Sequence, residues 1–303
     1  MPFSVPTDQS AEPRRAILYG ILFMCLAVSM FPFLNAGAKY LGARYPISEV
    51  VWARYAGHLI FMLIAFLPRH GPRLFQTKRF GMHVVRSVLL FVSTLLYFTA
   101  LTFIPIPSAA AVSFTGPIIA TALSVPLLGE AVGARRWSAV FVGFIGAMII
   151  IRPGLGNTHW ATLLVVGSAA SYALYQIFTR KIAAGEHADT SITYTAVVGA
   201  IVASFGIAFE DWVLPQGWFD LLVFISLGLI GGVGHYLVVR SVALAPMPIL
   251  SPFGYGQLIG ATILGYVWFG EFPDSFTWLG AAIIIASGLY ITYRESVRRR
   301  DRS

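Results

Sequence analysis

The sequence predicts an all-α integral membrane protein: ten transmembrane helices in two inverted five-helix repeats around a central cavity. Three observations predict it. The 303 residues are 57% hydrophobic and only 11% charged, with a mean hydropathy of +0.76, whereas a soluble domain carries about a quarter charged residues. The apolar stretches reach the roughly 20 residues that a helix needs to cross a bilayer core. The third observation is a repeat. Pro105-Ile-Pro, Ile118, Ala120, Thr121, Leu123, Gly129-Glu130 and Trp137 recur 141 residues later as Pro246-Met-Pro, Ile259, Ala261, Thr262, Leu264, Gly270-Glu271 and Trp278. Nine ungapped identities over 33 positions are more than chance yields in apolar sequence, and the period is too long for a solenoid.

Residues 1–15, with Pro2, Pro6, Asp8, Glu12 and Pro13, read as a disordered N-terminus. The apolar run after Arg14-Arg15 outlasts the roughly 7–15 residues of a signal-peptide core and lacks an A-x-A cleavage pattern, so it reads as span 1, near 16–38. Span 2, near 46–67, ends at Pro68-Arg-His-Gly-Pro72, and span 3 lies near 82–103. Pro105 and Pro107 separate span 3 from span 4, near 106–127, because proline at a helix start gives up an N–H that has no partner there anyway. Span 5, near 136–152, stops at Arg152-Pro-Gly154. The second set lies near 158–181, 189–209, 217–240, 246–269 and 276–293, and 294–303 form a basic tail. The two repeats thus cover 16–152 and 158–293.

Lys and Arg counts set the orientation. Sixteen fall in loops and segment ends on one side, and only Lys39, Arg44 and Arg152 on the other, so both termini are expected in the cytoplasm. Five spans separate each element from its repeat mate. Five is odd, so the second half lies upside down relative to the first. Inverted repeats allow two similar halves to exchange which side is open, with the site between them. The net charge of +8 is accounted for by this asymmetry, and no nucleic-acid partner is implied.

The paired Pro-x-Pro helix starts, the Gly-Glu pairs, Trp137 and Trp278, Val51-Trp-Ala-Arg54 early in span 2 and Lys39 at the end of span 1 together resemble the drug/metabolite transporter superfamily, specifically its ten-helix EamA-type members. In character the chain is similar to the YddG-type aromatic amino-acid exporters. The resemblance implies a basket-like bundle in the inner (plasma) membrane, with a cavity lined by spans 1, 3, 4, 6, 8 and 9. It further implies a secondary transporter working as a monomer.

No Asp or Glu lies in the middle of a span, so a carboxylate proton relay lacks its central residue. Glu130 and Glu271 fall at the ends of spans 4 and 9 and read as caps or braces for the following helix. Arg54 and Arg86 are read as snorkelling from helix ends, and no central Lys or Arg cluster is expected. The candidate substrate residues are neutral polar and aromatic: Asn35, Tyr97, Ser113, Tyr172, Gln176, His235, Tyr236, Tyr255 and Gln257. Amides and hydroxyls in hydrocarbon need partners and so face the bundle interior. Such a set suits a zwitterionic or weakly polar aromatic solute, an aromatic or neutral amino acid, moved outward without ATP. Proton exchange through His235 is the alternative mode of coupling. Interhelical bonding without solute contact is the plainer role for each of these residues.

Ala139, Gly143 and Ala147 on span 5, with Gly280 and Gly288 on span 10, form a small-residue seam that closes the two halves on each other. The single cysteine, Cys25, excludes a disulfide framework or CxxC site and reads as a packed thiol. No phosphate loop, HExxH or G-x-S-x-G is present. No cofactor, metal or enzymatic activity is therefore expected. A channel is the remaining rival, and no charge ring or filter loop supports it.

Overall fold

The computed structural model describes residues 11–128, 133–152, 159–183, 186–208, 212–245 and 247–300. They form α1 (Ala11–Gly42), α2 (Ile47–His70), α3 (Phe80–Leu101), α4 (Ile106–Ser113), α5 (Gly116–Leu128) and α6 (Ala134–Ile151). The second half contributes α7 (Ala161–Ala183), α8 (Ala188–Ile207), α9 (Trp218–Leu244), α10 (Met247–Gly254), α11 (Gln257–Phe269) and α12 (Ser275–Arg300). Among the described residues, seven helical segments are long and apolar enough to cross a membrane: Arg15–Gly42, Ile47–Phe75, Phe80–Leu101, Ile106–Leu127, Ala161–Ile182, Ala188–Ile207 and Trp218–Leu244. Trp137–Ile151 and Ser275–Ile291 are shorter apolar helices. The chain is a multi-pass, all-helical membrane protein. Residues 11–15, expected to be disordered, belong to α1, while 1–10 lie outside the described residues; 294–300 of the basic tail continue α12.

Two expected spans are broken. The fourth divides at Phe114-Thr115 and the ninth at Tyr255-Gly256, positions 141 residues apart. The chemistry of the break differs between the halves. Pro117 has no N–H to give Ser113, and its ring crowds that carbonyl. The equivalent position is Leu258, and there Gly254 and Gly256, flanking Tyr255, loosen the chain instead. Freed backbone groups cost several kcal/mol each in hydrocarbon and are tolerated only where protein or a cavity receives them. Tighter turns receive several: Phe114 N–H donates to Ala111 O, Thr115 N–H to Val112 O, Gly256 N–H to Phe253 O and Leu258 N–H to Tyr255 O.

The packing obeys the repeat. The pairs α1·α9, α2·α9 and α1·α11 are in contact, and shifting each by 141 residues gives α7·α3, α8·α3 and α7·α5, also in contact. The pairs α2·α8 and α6·α12 map onto themselves. Small residues set the closest approaches. On α6 and α12, a Cβ added at Gly146 would stand 2.9 Å from the Gly280 carbonyl, and Ser287 Oγ donates to Ala139 O at 2.5 Å. This is the expected seam between the halves. On α2 and α9, a Cβ at Gly57 would stand 2.7 Å from Gly228 Cα.

The acidic residue after α11 is a brace, though not in the expected way. Glu271 Oε1 pairs with Lys39 Nζ at 2.5 Å, and its Oε2 accepts the Ile106 N–H at 2.9 Å. Lys39 also donates to Ile104 O at 2.8 Å. Glu271 therefore ties the end of α11 to α1 and to the start of α4 in the other half, rather than capping the helix that follows it. That task falls to Asp274, which accepts the Thr277 N–H at 2.8 Å. Glu130 lies outside the described residues.

Candidate solute-binding site

The inward faces of α1, α2, α3, α7 and α9 bring a polar and aromatic cluster together at its centre on Arg54. From the start of α2, Arg54 is seven residues along, about 10 Å at 1.5 Å per residue. Its side chain turns into the bundle and is only 5% exposed. Its Nη1 donates to Thr94 Oγ1 at 2.6 Å, and its Nη2 lies 3.1 Å from His235 Nε2. Arginine has no acceptor, so His235 accepts through Nε2 and is a neutral imidazole with its proton on Nδ1. The rings of Tyr55 and Phe98 lie 4.8 and 5.7 Å from the guanidinium carbon, and such contacts offset part of the lost hydration. The glycines of α9 make this possible. Gly232 and Gly234 receive His58, Phe61 and Phe31, where a Cβ would crowd them, and Gly231 lies against the Arg54 stem, a would-be Cβ there being in ordinary contact 3.5 Å from its Cγ.

Arg86, 1% exposed, is likewise no snorkelling residue. Its Nε donates to Thr179 Oγ1 at 3.0 Å, Nη1 to Ser191 O at 2.6 Å and Nη2 to Tyr175 OH at 3.0 Å. Tyr175 in turn stacks on Tyr172, their centroids 5.6 Å apart, and Gln176 lies one turn beyond Tyr172 on α7. The bundle thus holds two buried cations, and the reading of Arg54 and Arg86 as snorkelling end residues is corrected. Among the described residues, no ion pair within 4 Å includes either arginine.

The other expected site residues separate into two groups. Asn35 is buried with its Nδ2 unpartnered, one turn beyond Phe31, whose ring centre lies 5.5 Å from that of His235. The Tyr97 hydroxyl is buried without a partner. These two, with Tyr172, Gln176 and His235, are compatible with solute contact. Ser113 instead returns its hydroxyl to Ala110 O at 2.7 Å. Tyr236 packs on Phe66 in an apolar cluster with Met62, Leu74 and Ile192. Adjacent helix residues point about 100° apart, so Tyr236 and His235 do not share a face. The Tyr255 ring meets that of Phe114 edge-on at 5.0 Å, and its hydroxyl enters the notch left by Gly288 on α12. Gln257 begins α11 and is half-buried.

The repeat sorts these residues further. Shifting by 141 pairs Phe31 with Tyr172, Asn35 with Gln176, Thr94 with His235 and Phe114 with Tyr255. Arg54 bonds both members of the third pair, and the rings of the fourth pair touch at the two helix breaks. A ring, an amide and a hydrogen-bonding group are therefore each supplied twice, once by each half. Two apolar grooves, about 520 Å³ beside Cys25, Phe253 and Trp278 and about 530 Å³ beside Ile60, Trp212 and Leu229, lie on faces rich in exposed apolar side chains. They bring no convergent polar groups together, so the polar cluster is the stronger candidate.

A helical membrane bundle built on two repeats, with broken helices meeting inside it, defines a secondary transporter. The chain belongs to the EamA-like transporter family of the drug/metabolite transporter superfamily: residues 18–152 and 159–293 each match the family model, again at an offset of 141. A riboflavin transporter of Vibrio cholerae is 31% identical over 293 residues, covering 94% of this chain and 97% of that protein. An S-adenosylmethionine uptake transporter of Rickettsia felis is 31% identical over 284 residues, covering 94% and 96%. A pseudopaline exporter of Pseudomonas aeruginosa is 24% identical over 270 residues, covering 88% and 94%. A solved crystal structure at 19% identity has a TM-score of 0.63 over 94% of this chain and 98% of its own, a likeness of fold alone. These relatives are named for riboflavin, S-adenosylmethionine and pseudopaline, and not as aromatic amino-acid exporters.

Proposed function

We propose that the protein is an alternating-access carrier, with ten membrane crossings in two inverted repeats, both termini cytoplasmic and a central cavity. It moves a flat aromatic solute of the riboflavin type, without ATP and without altering it chemically. The observation that carries this reading is the fourfold pairing of site residues across the repeat. A site shared equally by two halves is reachable from either side when the halves rock, and it needs no reaction centre. Ring faces supplied by Phe31 and Tyr172, with amides from Asn35 and Gln176, suit a planar heteroaromatic body bearing carbonyls and hydroxyls. The names of the riboflavin-transporting relatives support the same class.

The loop charges support the orientation, sixteen Lys and Arg against three. The seam of α6 on α12 buries the small-residue faces within one chain, which supports a monomer. His235 accepts a hydrogen bond from Arg54, and this favours a carrier driven by the solute's own gradient over proton exchange at that ring. Direction then follows the gradient, so export is not built into the fold.

Flux into proteoliposomes tests the solute. Labelled riboflavin is expected to enter saturably at equal rates with and without a pH gradient, and unlabelled tryptophan to compete weakly. Saturable tryptophan flux with no riboflavin flux would move the assignment to aromatic amino acids, and a gradient-dependent rate would restore proton coupling.

A further inference from the structure

The two buried arginines differ in one respect. All three nitrogen positions of Arg86 have protein partners, on Thr179, Ser191 and Tyr175. Arg86 is a completed tie between α3, α7 and α8. Arg54 is incomplete: its Nε is buried with no hydrogen-bond partner, and its other two nitrogens meet only neutral groups. Close by, the His58 ring stacks on that of His235 with centroids 6.3 Å apart, and its buried Nε2 is also unpartnered. A buried donor without an acceptor is costly, and a full charge without a counter-charge more so. A protein that retains both inside a membrane does so for a group that comes and goes.

We infer that Arg54 sets the charge selectivity of the site, receiving a planar, oxygen-rich edge of the solute that bears no positive charge. The inference rests on the proposed carrier function and goes beyond it, to the chemistry of one solute edge. A carboxylate presents two in-plane acceptors that match the fork of the guanidinium, and a conjugated imide presents in-plane carbonyls on either side of its N–H, each able to accept from Nε. A sulfonium or ammonium brought to the same place would face an unneutralised cation in a low dielectric and be rejected. The geometry also links binding to motion. Thr94 and His235 are repeat mates on opposite halves, and Arg54 holds both. An edge that takes over one of these bonds loosens the junction that the halves must rock about.

The test is competition against labelled riboflavin flux in proteoliposomes by three probes: unlabelled riboflavin for the imide, indole-3-acetate for the carboxylate and tryptamine, which carries an ammonium and no carboxylate, for the cation. The wild-type protein is expected to be inhibited by the first two and to need at least about tenfold more of the third, the scale of one charge-assisted hydrogen bond. Inhibition by only one of the first two identifies which edge is used. Arg54→Gln is expected to raise the riboflavin KM about tenfold or more and to close most of the gap to tryptamine. Arg54→Lys keeps the charge and loses the fork, so it should raise KM while still rejecting the cation. It decides the matter if Arg54→Gln is not recovered as a monodisperse protein. Equal competition by tryptamine in the wild type, unchanged selectivity in Arg54→Gln or, where that variant is not recovered, an unchanged riboflavin KM in Arg54→Lys overturns the role of Arg54 and leaves the carrier reading intact. No wild-type riboflavin flux at all overturns that reading itself.

Discussion

Leucine in place of Gly228 is expected to remove most of the folded protein from the membrane. Here α9 crosses α2 with backbone against backbone, and a Cβ at position 228 would be driven into the Cα and carbonyl carbon of Gly57. Overpacking typically costs about 1–3 kcal/mol and more where backbone must move. In lipid these helices associate through close packing rather than a hydrophobic force. Separating them would also pull Gly231 and Gly232 away from Arg54 and His58, leaving the buried charge badly housed. Membrane abundance and the size-exclusion profile of the extracted protein check this. Gly228→Ala should show a smaller loss of the same kind, and a monodisperse Gly228→Leu protein at normal yield would contradict the crossing.

The second large effect concerns the paired rings and amides. Tyr172→Ala combined with Gln176→Ala is expected to reduce solute flux about tenfold or more at unchanged abundance, since stacking a flat ring on an aromatic side chain is worth about 1–3 kcal/mol. The mirrored variant, Phe31→Ala with Asn35→Ala, should reduce flux to a similar degree, because its residues occupy the equivalent places in the other half. Equal losses from the two variants support a site shared between the halves. A loss from one alone would assign the solute to that half, and abundance falling in step with flux would make the residues structural.

Much of the fold was legible in the sequence because membrane spans and repeats write themselves locally, in apolar runs, prolines and a constant offset. The breaks in spans 4 and 9 were only half legible. Pro117 announces one, but the other rests on Gly254 and Gly256, and neither pattern points to two matching breaks unless the repeat is laid over them. The site was partly legible. Asn35, Tyr172, Gln176 and His235 were picked for their chemistry, and extending the offset of 141 to them shows that each has a mate. Arg54 was misread because a cation some 10 Å inside a helix was treated as an end residue; counting the rise from the helix start would have placed it inside. Tyr236 was included as a hydroxyl within a span, yet it directly follows His235, which on a helix argues against a shared face. Which donor of Arg54 lacks a partner depends on side-chain placement across three helices, and no local pattern encodes it.

Counterflow most directly tests whether the protein alternates access. Proteoliposomes preloaded with unlabelled riboflavin and diluted into a trace of labelled riboflavin should accumulate label transiently above equilibrium, then release it, because a reloaded carrier returns faster than it exchanges net solute. A carrier built on two rocking halves predicts that overshoot. Uptake that only approaches equilibrium, unsaturable and indifferent to preloading, would show a passage open to both sides at once and contradict the account.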